Sequence, residues 1–171
     1  MQYNLHPILV HFPIALLFIY SVIKVLPVSK WFPKVHWRHV ELVLLSLGML
    51  AAFAAYATGE TAERLERPDR QIVEMHSTFA NITIWLYGLL LFGEVLYFLN
   101  PIIVSKLNMP WLRKLLSFMQ MVLTNGTFSK ILAFLGFVAI FITGLLGGVM
   151  VYGTTADPLS PLVLKILGIN F

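Results

Sequence analysis

Four hydrophobic runs, each close to twenty residues and almost free of charge, decide what this chain can fold into. At ~1.5 Å of rise per helical residue, such a run matches the ~30 Å hydrocarbon layer of a bilayer. No water reaches backbone N–H and C=O groups in that layer, so each run must satisfy them internally as a helix. The runs cover about 7–26, 40–58, 75–99 and 131–152. They predict an all-α, integral membrane, up-down four-helix bundle with short interfacial helices, a single domain over residues 1–171.

Composition agrees. Hydrophobic residues make up 58% and charged residues 12% of the chain, against about 25% charged in a soluble domain. There is no cysteine, which excludes disulfides, thiolate metal sites, iron–sulfur clusters and covalently attached c-type haem. The net charge is +4, but the basic residues gather at helix ends, which points to membrane topology and away from nucleic acid. Residues 1–6 lack a basic n-region and no Ala-x-Ala-like site follows, so the first run is expected to be retained.

Local signals punctuate the runs. Pro7 opens the first, and Pro27, Lys30 and Pro33 close it. Gly59 is placed to end the second, Asn100-Pro101 the third and Gly153 the fourth. In segment 110–125, Leu112, Leu115, Leu116, Met119 and Val122 recur at helical spacing, with Arg113, Lys114 and Gln120 on the other face. It reads as an interfacial helix or, more plainly, as a lid over one bundle end. Ser160-Pro161 opens a last short apolar run that Gly168 ends. The loops after the first and third runs hold eight Lys and Arg, and the opposite side holds four. That bias predicts that both termini lie outside the cytoplasm.

Ionisable groups at membrane depth carry the functional signal, because burying them there is unfavourable unless something uses them. His6 and His11 begin the first run and His76 the third. These runs are parallel, so all three histidines fall at the outer end, on helices that an up-down bundle sets diagonally. One imidazole from each of two facing helices is what a bis-histidine b-type haem requires. His11 and His76 are therefore the expected iron ligands, with His6 beside them. Small residues would form the slot: Gly48, Ala52, Ala55 and Gly59 on the second run, Gly144, Gly147 and Gly148 on the fourth. They equally permit close helix packing. Arg70, with Arg64 and Arg67, is placed to meet haem propionates. A zinc set drawn from His6, His11, His76 and Glu74 or Glu60 is a weaker arrangement. His36 and His39, with Trp31 and Trp37, read as interfacial anchors, and Glu94 as a partner for a basic residue such as Lys106.

The stretch His6-Pro7-Ile8-Leu9-Val10-His11-Phe12-Pro13-Ile14-Ala15-Leu16-Leu17 resembles the signature of domain of unknown function 2231, a bacterial and archaeal family of four-helix membrane proteins. Ala57-Thr58-Gly59, His76 and the glycines Gly144, Gly147, Gly148 and Gly153 extend the resemblance over about residues 5–155. Two departures stand out. No His-Gly ends the fourth run, where the chain reads Gly147-Gly148-Val149-Met150-Val151-Tyr152, and the insertion between Pro101 and Ser129 is long. The resemblance implies the fold, a bacterial or archaeal cytoplasmic membrane and a redox setting. The expected function is a haem b electron-transfer subunit of a respiratory or photosynthetic complex, exchanging electrons with a periplasmic cytochrome or quinol. The alternative is an accessory subunit without a cofactor, packed against a larger membrane complex, whose histidines hydrogen-bond backbone carbonyls.

Overall fold

The computed structural model describes residues 4–155 and 157–169. Its regular elements are helical: α1 (His6–Leu9), α2 (His11–Val25), α3 (Val28–Trp31), α4 (Trp37–Glu66), α5 (Arg70–Lys106), α6 (Pro110–Leu123), α7 (Gly126–Tyr152) and α8 (Ser160–Ile166). Four candidate spans have the length and apolarity to cross a membrane: His6–Val25, Trp37–Glu66, Arg70–Lys106 and Gly126–Tyr152. The chain is a multi-pass, all-α membrane protein.

The long helices form a ring in which α2 and α5 each pack against both α4 and α7. The parallel helices α2 and α5 are thus diagonal, as the up-down order requires. Leu17, Tyr20, Leu45, Met49, Tyr87, Leu90 and Ile140 fill the centre. A second cluster, with Ile72, Leu146, Val149 and Leu164, seats α8 at the end where the termini lie. Within the most apolar stretch of each span only 22–33% of residues are buried. The rest present Leu50, Phe53, Trp85 and Phe134 outward, each more than half exposed. Such faces fit hydrocarbon, not water.

The helix ends depart from the sequence expectation in instructive ways. At the first span, Pro13 deprives the Leu9 carbonyl of its helical partner, yet Val10 between α1 and α2 keeps helical dihedrals (φ -64°, ψ -25°) and the two run on as one span, His6–Val25. Gly59 does not end α4. The helix continues through Glu60–Arg64, an i,i+4 ion pair, because good helix formers follow. It stops at Arg67, which takes a left-handed conformation (φ 47°) immediately before Pro68. Nor does Asn100-Pro101 end α5, which runs through Pro101 to Lys106. Proline removes one helical hydrogen bond, and packing of α6 back along these turns holds the helix together. Asp69 and Asn125 accept the first free N–H groups of α5 and α7, and Gly153 (φ 77°) ends α7 as expected.

Segment 110–125 is also placed differently. α6 forms a helix, but it doubles back along α5 instead of roofing the bundle end. A Cβ built on Gly93 would sit 2.6 Å from the Leu123 Cβ, so the glycine sets the approach of the two helices. Gly93→Ala should lower stability by about 1–3 kcal/mol through overpacking. A Cβ built on Gly126 would enter open space, and Gly126→Ala should be neutral or stabilising by a few tenths of a kcal/mol. Unfolding midpoints of the two variants in the same detergent check the pair.

Candidate functional site

Ionisable and hydroxyl groups line one face of α5. His76, Thr83, Tyr87 and Glu94 are spaced so that, at ~100° per residue, they fall within roughly 40° of one another. Their eighteen residues of separation amount to ~27 Å of helix, close to the thickness of the hydrocarbon layer. Thr83, Tyr87 and Glu94 are buried, and His76 is partly so. The stripe faces the bundle interior from end to end.

At the end that holds both termini, two histidines turn inward. His6 Nδ1 donates to the Ala55 carbonyl and to Thr58 Oγ1, each at 3.0 Å, tying α1 to α4. The Thr58 hydroxyl donates in turn to the Ala55 carbonyl. His76 Nδ1 donates to the Thr143 carbonyl at 2.9 Å, tying α5 to α7. A glycine lies beside each ring, in ordinary contact. The His6 Cε1 lies 3.6 Å from where a Cβ on Gly59 would stand, and the His76 Cε1 3.5 Å from that of Gly147. The two imidazoles lie within Coulombic range of each other. Because Nδ1 is the donor in both, each neutral ring keeps an Nε2 lone pair. Nothing among the described residues hydrogen-bonds either Nε2 atom.

His11 does not join them. It is exposed, with Nδ1 bonded to the Pro7 carbonyl one turn back at 2.6 Å. The expected His11–His76 pair is therefore not assembled, and His6 takes the inward position instead. Their five-residue spacing sets the two histidines ~140° apart on a helix, and the backbone between them stays helical at Val10. Gly59 and Gly147 lie in ordinary contact with the two imidazoles. Gly148 is partly buried on α7. Arg70 is almost fully exposed and pairs with Glu74, away from the histidines' bonding partners.

At Gly48 the expected haem slot is filled by protein, for a Cβ there would meet Leu17 at 2.6 Å. Outside the expected slot, a Cβ on Gly136 would meet the Tyr87 ring at 2.9 Å. A groove of about 410 Å³ lies between α2 and α7, but Ile14, Phe18, Ile140 and Phe141 line it and no histidine does. A haem held between His11 and His76 does not fit these residues. The zinc set does not form either. Among the described residues no three His, Asp or Glu side chains gather around a point.

The bundle's middle and far end contain polar contacts that the sequence reading did not foresee. Tyr87 reaches across to α2, its hydroxyl 2.7 Å from Ser21 Oγ and 3.3 Å from the Leu17 carbonyl it donates to. Ser21 donates on to the Ala133 carbonyl of α7 at 3.1 Å. One tyrosine and one serine thereby join three helices in the buried core. The Tyr20 ring packs edge-on against Tyr87. Farther along, Glu94 accepts from Arg38 at 2.8 Å and lies 3.7 Å from Lys24, which pairs with Glu41 at 2.7 Å. Arg38 also lies over the Tyr97 ring, 3.2 Å from its centroid. Glu94 is thus paired with α2 and α4, not with Lys106. The seven-, four- and seven-residue spacing along α5 was the available signal, but identifying the partners required the fold. His36 and His39 stand edge-to-face with each other, and His39 with Phe98, at an exposed helix start.

The family model described as "Predicted membrane protein (DUF2231)" matches residues 2–157. The chain belongs to this family. The match takes in all four spans and both inward histidines, with Thr58 and Gly59 beside His6. No curated protein and no solved structure matches the chain.

The quartet of charges should be structurally decisive. Glu94→Gln leaves Arg38 and Lys24 short of a buried partner and should destabilise by about 3 kcal/mol. Lys106→Gln, at the exposed end of α5, should change stability by less than about 0.5 kcal/mol. Thermal unfolding in detergent separates the two.

Proposed function

We propose that the chain is an accessory subunit that packs within a larger assembly in a bacterial or archaeal cytoplasmic membrane, its histidines acting as clamps between helices. The observation that carries this reading is that His6 and His76 each donate Nδ1 to a carbonyl of a neighbouring helix. A donor without a partner in hydrocarbon is unfavourable by several kcal/mol, so these bonds hold α1 to α4 and α5 to α7 where the bundle would fray. The bias of basic residues supports an outer position for this clamped end. Captured by a tag from its native membrane in mild detergent, the chain should migrate with a stable assembly of defined stoichiometry. Recovery solely as a monomer under conditions that preserve other complexes of that membrane overturns the reading.

A second reading, a haem b electron-transfer subunit serving a periplasmic cytochrome or quinol, is supported by one observation. His6 and His76 share one end of the bundle, and carbonyls fix both rings with Nε2 open, the orientation that metal-bound histidines take. These two residues, not His11, would hold the iron, and the haem would supply one-electron chemistry. An absorption spectrum of the purified protein tests it. A Soret band lost in His76→Ala and kept in His11→Ala is the expected result. A colourless protein that takes up no added haem overturns it.

A further inference from the structure

Tyr20 is fully buried on α2, and its hydroxyl has no hydrogen-bond partner among the described residues. Its ring packs edge-on against Tyr87, with Leu17, Leu45 and Met49 in the same core cluster. The ring suits such a core, but a phenol O–H left there without a partner is less favourable than phenylalanine would be. Helical spacing shows what the hydroxyl approaches. Lys24 follows Tyr20 by one turn on the same face of α2, and Glu41 precedes Leu45 by one turn on α4. Lys24 and Glu41 meet at 2.7 Å. The hydroxyl lies within Coulombic range of Glu41, Glu94 and the Tyr87 hydroxyl, yet it bonds to none of them.

Glu41 and Glu94 are the two acids at the end reached by the loops after α2 and α5, which holds eight basic residues. Their pairing leaves hydrogen-bonding capacity over. Lys24 engages one oxygen of Glu41 and lies 3.7 Å from one of Glu94, whose other oxygen accepts from Arg38. The second oxygen of Glu41 accepts nothing among the described residues. An ammonium carries three N–H donors, and these contacts use at most two of them.

Charge and chemistry select the ligand. Two acids and two bases sum to zero, so an added cation or anion would unbalance the site. A small neutral molecule that both donates and accepts would not. Bound water meets that description and needs two to four polar partners. The Tyr20 hydroxyl, the second oxygen of Glu41 and the third N–H of Lys24 supply three. Lys24, Glu41 and Arg38 are all partly exposed, which opens the site toward the basic end.

We propose that water binds between the Tyr20 hydroxyl and the Glu41 carboxylate, within reach of Lys24, and exchanges with solvent at the basic end. The site carries solvent one helical turn past Lys24, ~6 Å along α2, to the Tyr20–Tyr87 pair at the bundle centre.

Two measurements on the full-length protein in nanodiscs test this. Pulsed radiolysis in isotopically labelled water oxidises side chains that touch water, and mass spectrometry locates the label. Tyr20 should be labelled despite its burial, at a rate comparable to the exposed Tyr152. A Tyr20→Phe variant should unfold at a midpoint about 2–4 °C lower, because the bound water loses a partner. An unlabelled Tyr20 overturns the proposal, and together with a lowered midpoint it identifies a direct hydrogen bond to a neighbouring side chain. An unchanged or raised midpoint also overturns it, being the result expected when phenylalanine relieves a hydroxyl that was buried without a partner.

Discussion

Polar groups buried in a bilayer gain by finding partners within the protein, and that gain organises the bundle, the buried Tyr20 hydroxyl being left without a partner among the described residues. The Tyr87 hydroxyl lies at its centre, bonded to Ser21 and to the Leu17 carbonyl across the diagonal between α2 and α5. Apolar contacts hold helices together weakly in lipid, because acyl chains offer side chains much the same environment. A hydrogen bond that only one arrangement can satisfy fixes register where dispersion forces would tolerate sliding. Gly136 makes this possible by leaving room for the Tyr87 ring against α7. Ser21 passes the connection on to Ala133.

The same rule applies at both ends with different chemistry. At the terminal end, imidazoles donate to carbonyls of adjacent helices and hold short segments in place. At the other, four charges sum to zero around Glu94, drawing α2, α4 and α5 together. That quartet also consumes both carboxylates of its end. The surface beyond it is left strongly basic, so an internal packing interaction shapes how the protein presents itself to the membrane.

Several features were legible without coordinates. The four apolar runs gave the spans, Gly153 gave the end of α7, and the heptad-like recurrence of Leu112, Leu116 and Met119 gave α6. Others were misread for identifiable reasons. Gly59 looked like a helix terminator because glycine favours left-handed turns, but α4 runs on through it to Glu66. Pro101 looked like a stop because proline breaks isolated helices, but α6 supports the turns around it. His11 looked like the inward ligand because it lies deeper in the run than His6, yet its place ~140° around the helix from the inward His6 leaves it exposed.

Sequence by itself determined that the chain spans a membrane four times, which surfaces are apolar and which end is basic. These follow from hydropathy and charge, which act residue by residue and need no knowledge of neighbours. The tertiary structure decided which polar side chains meet. Glu94 could have found any cation near its depth, and His76 any histidine at its end. The choice among partners depends on helix rotation and crossing, and these are set by a few small residues whose role appears only when two helices touch.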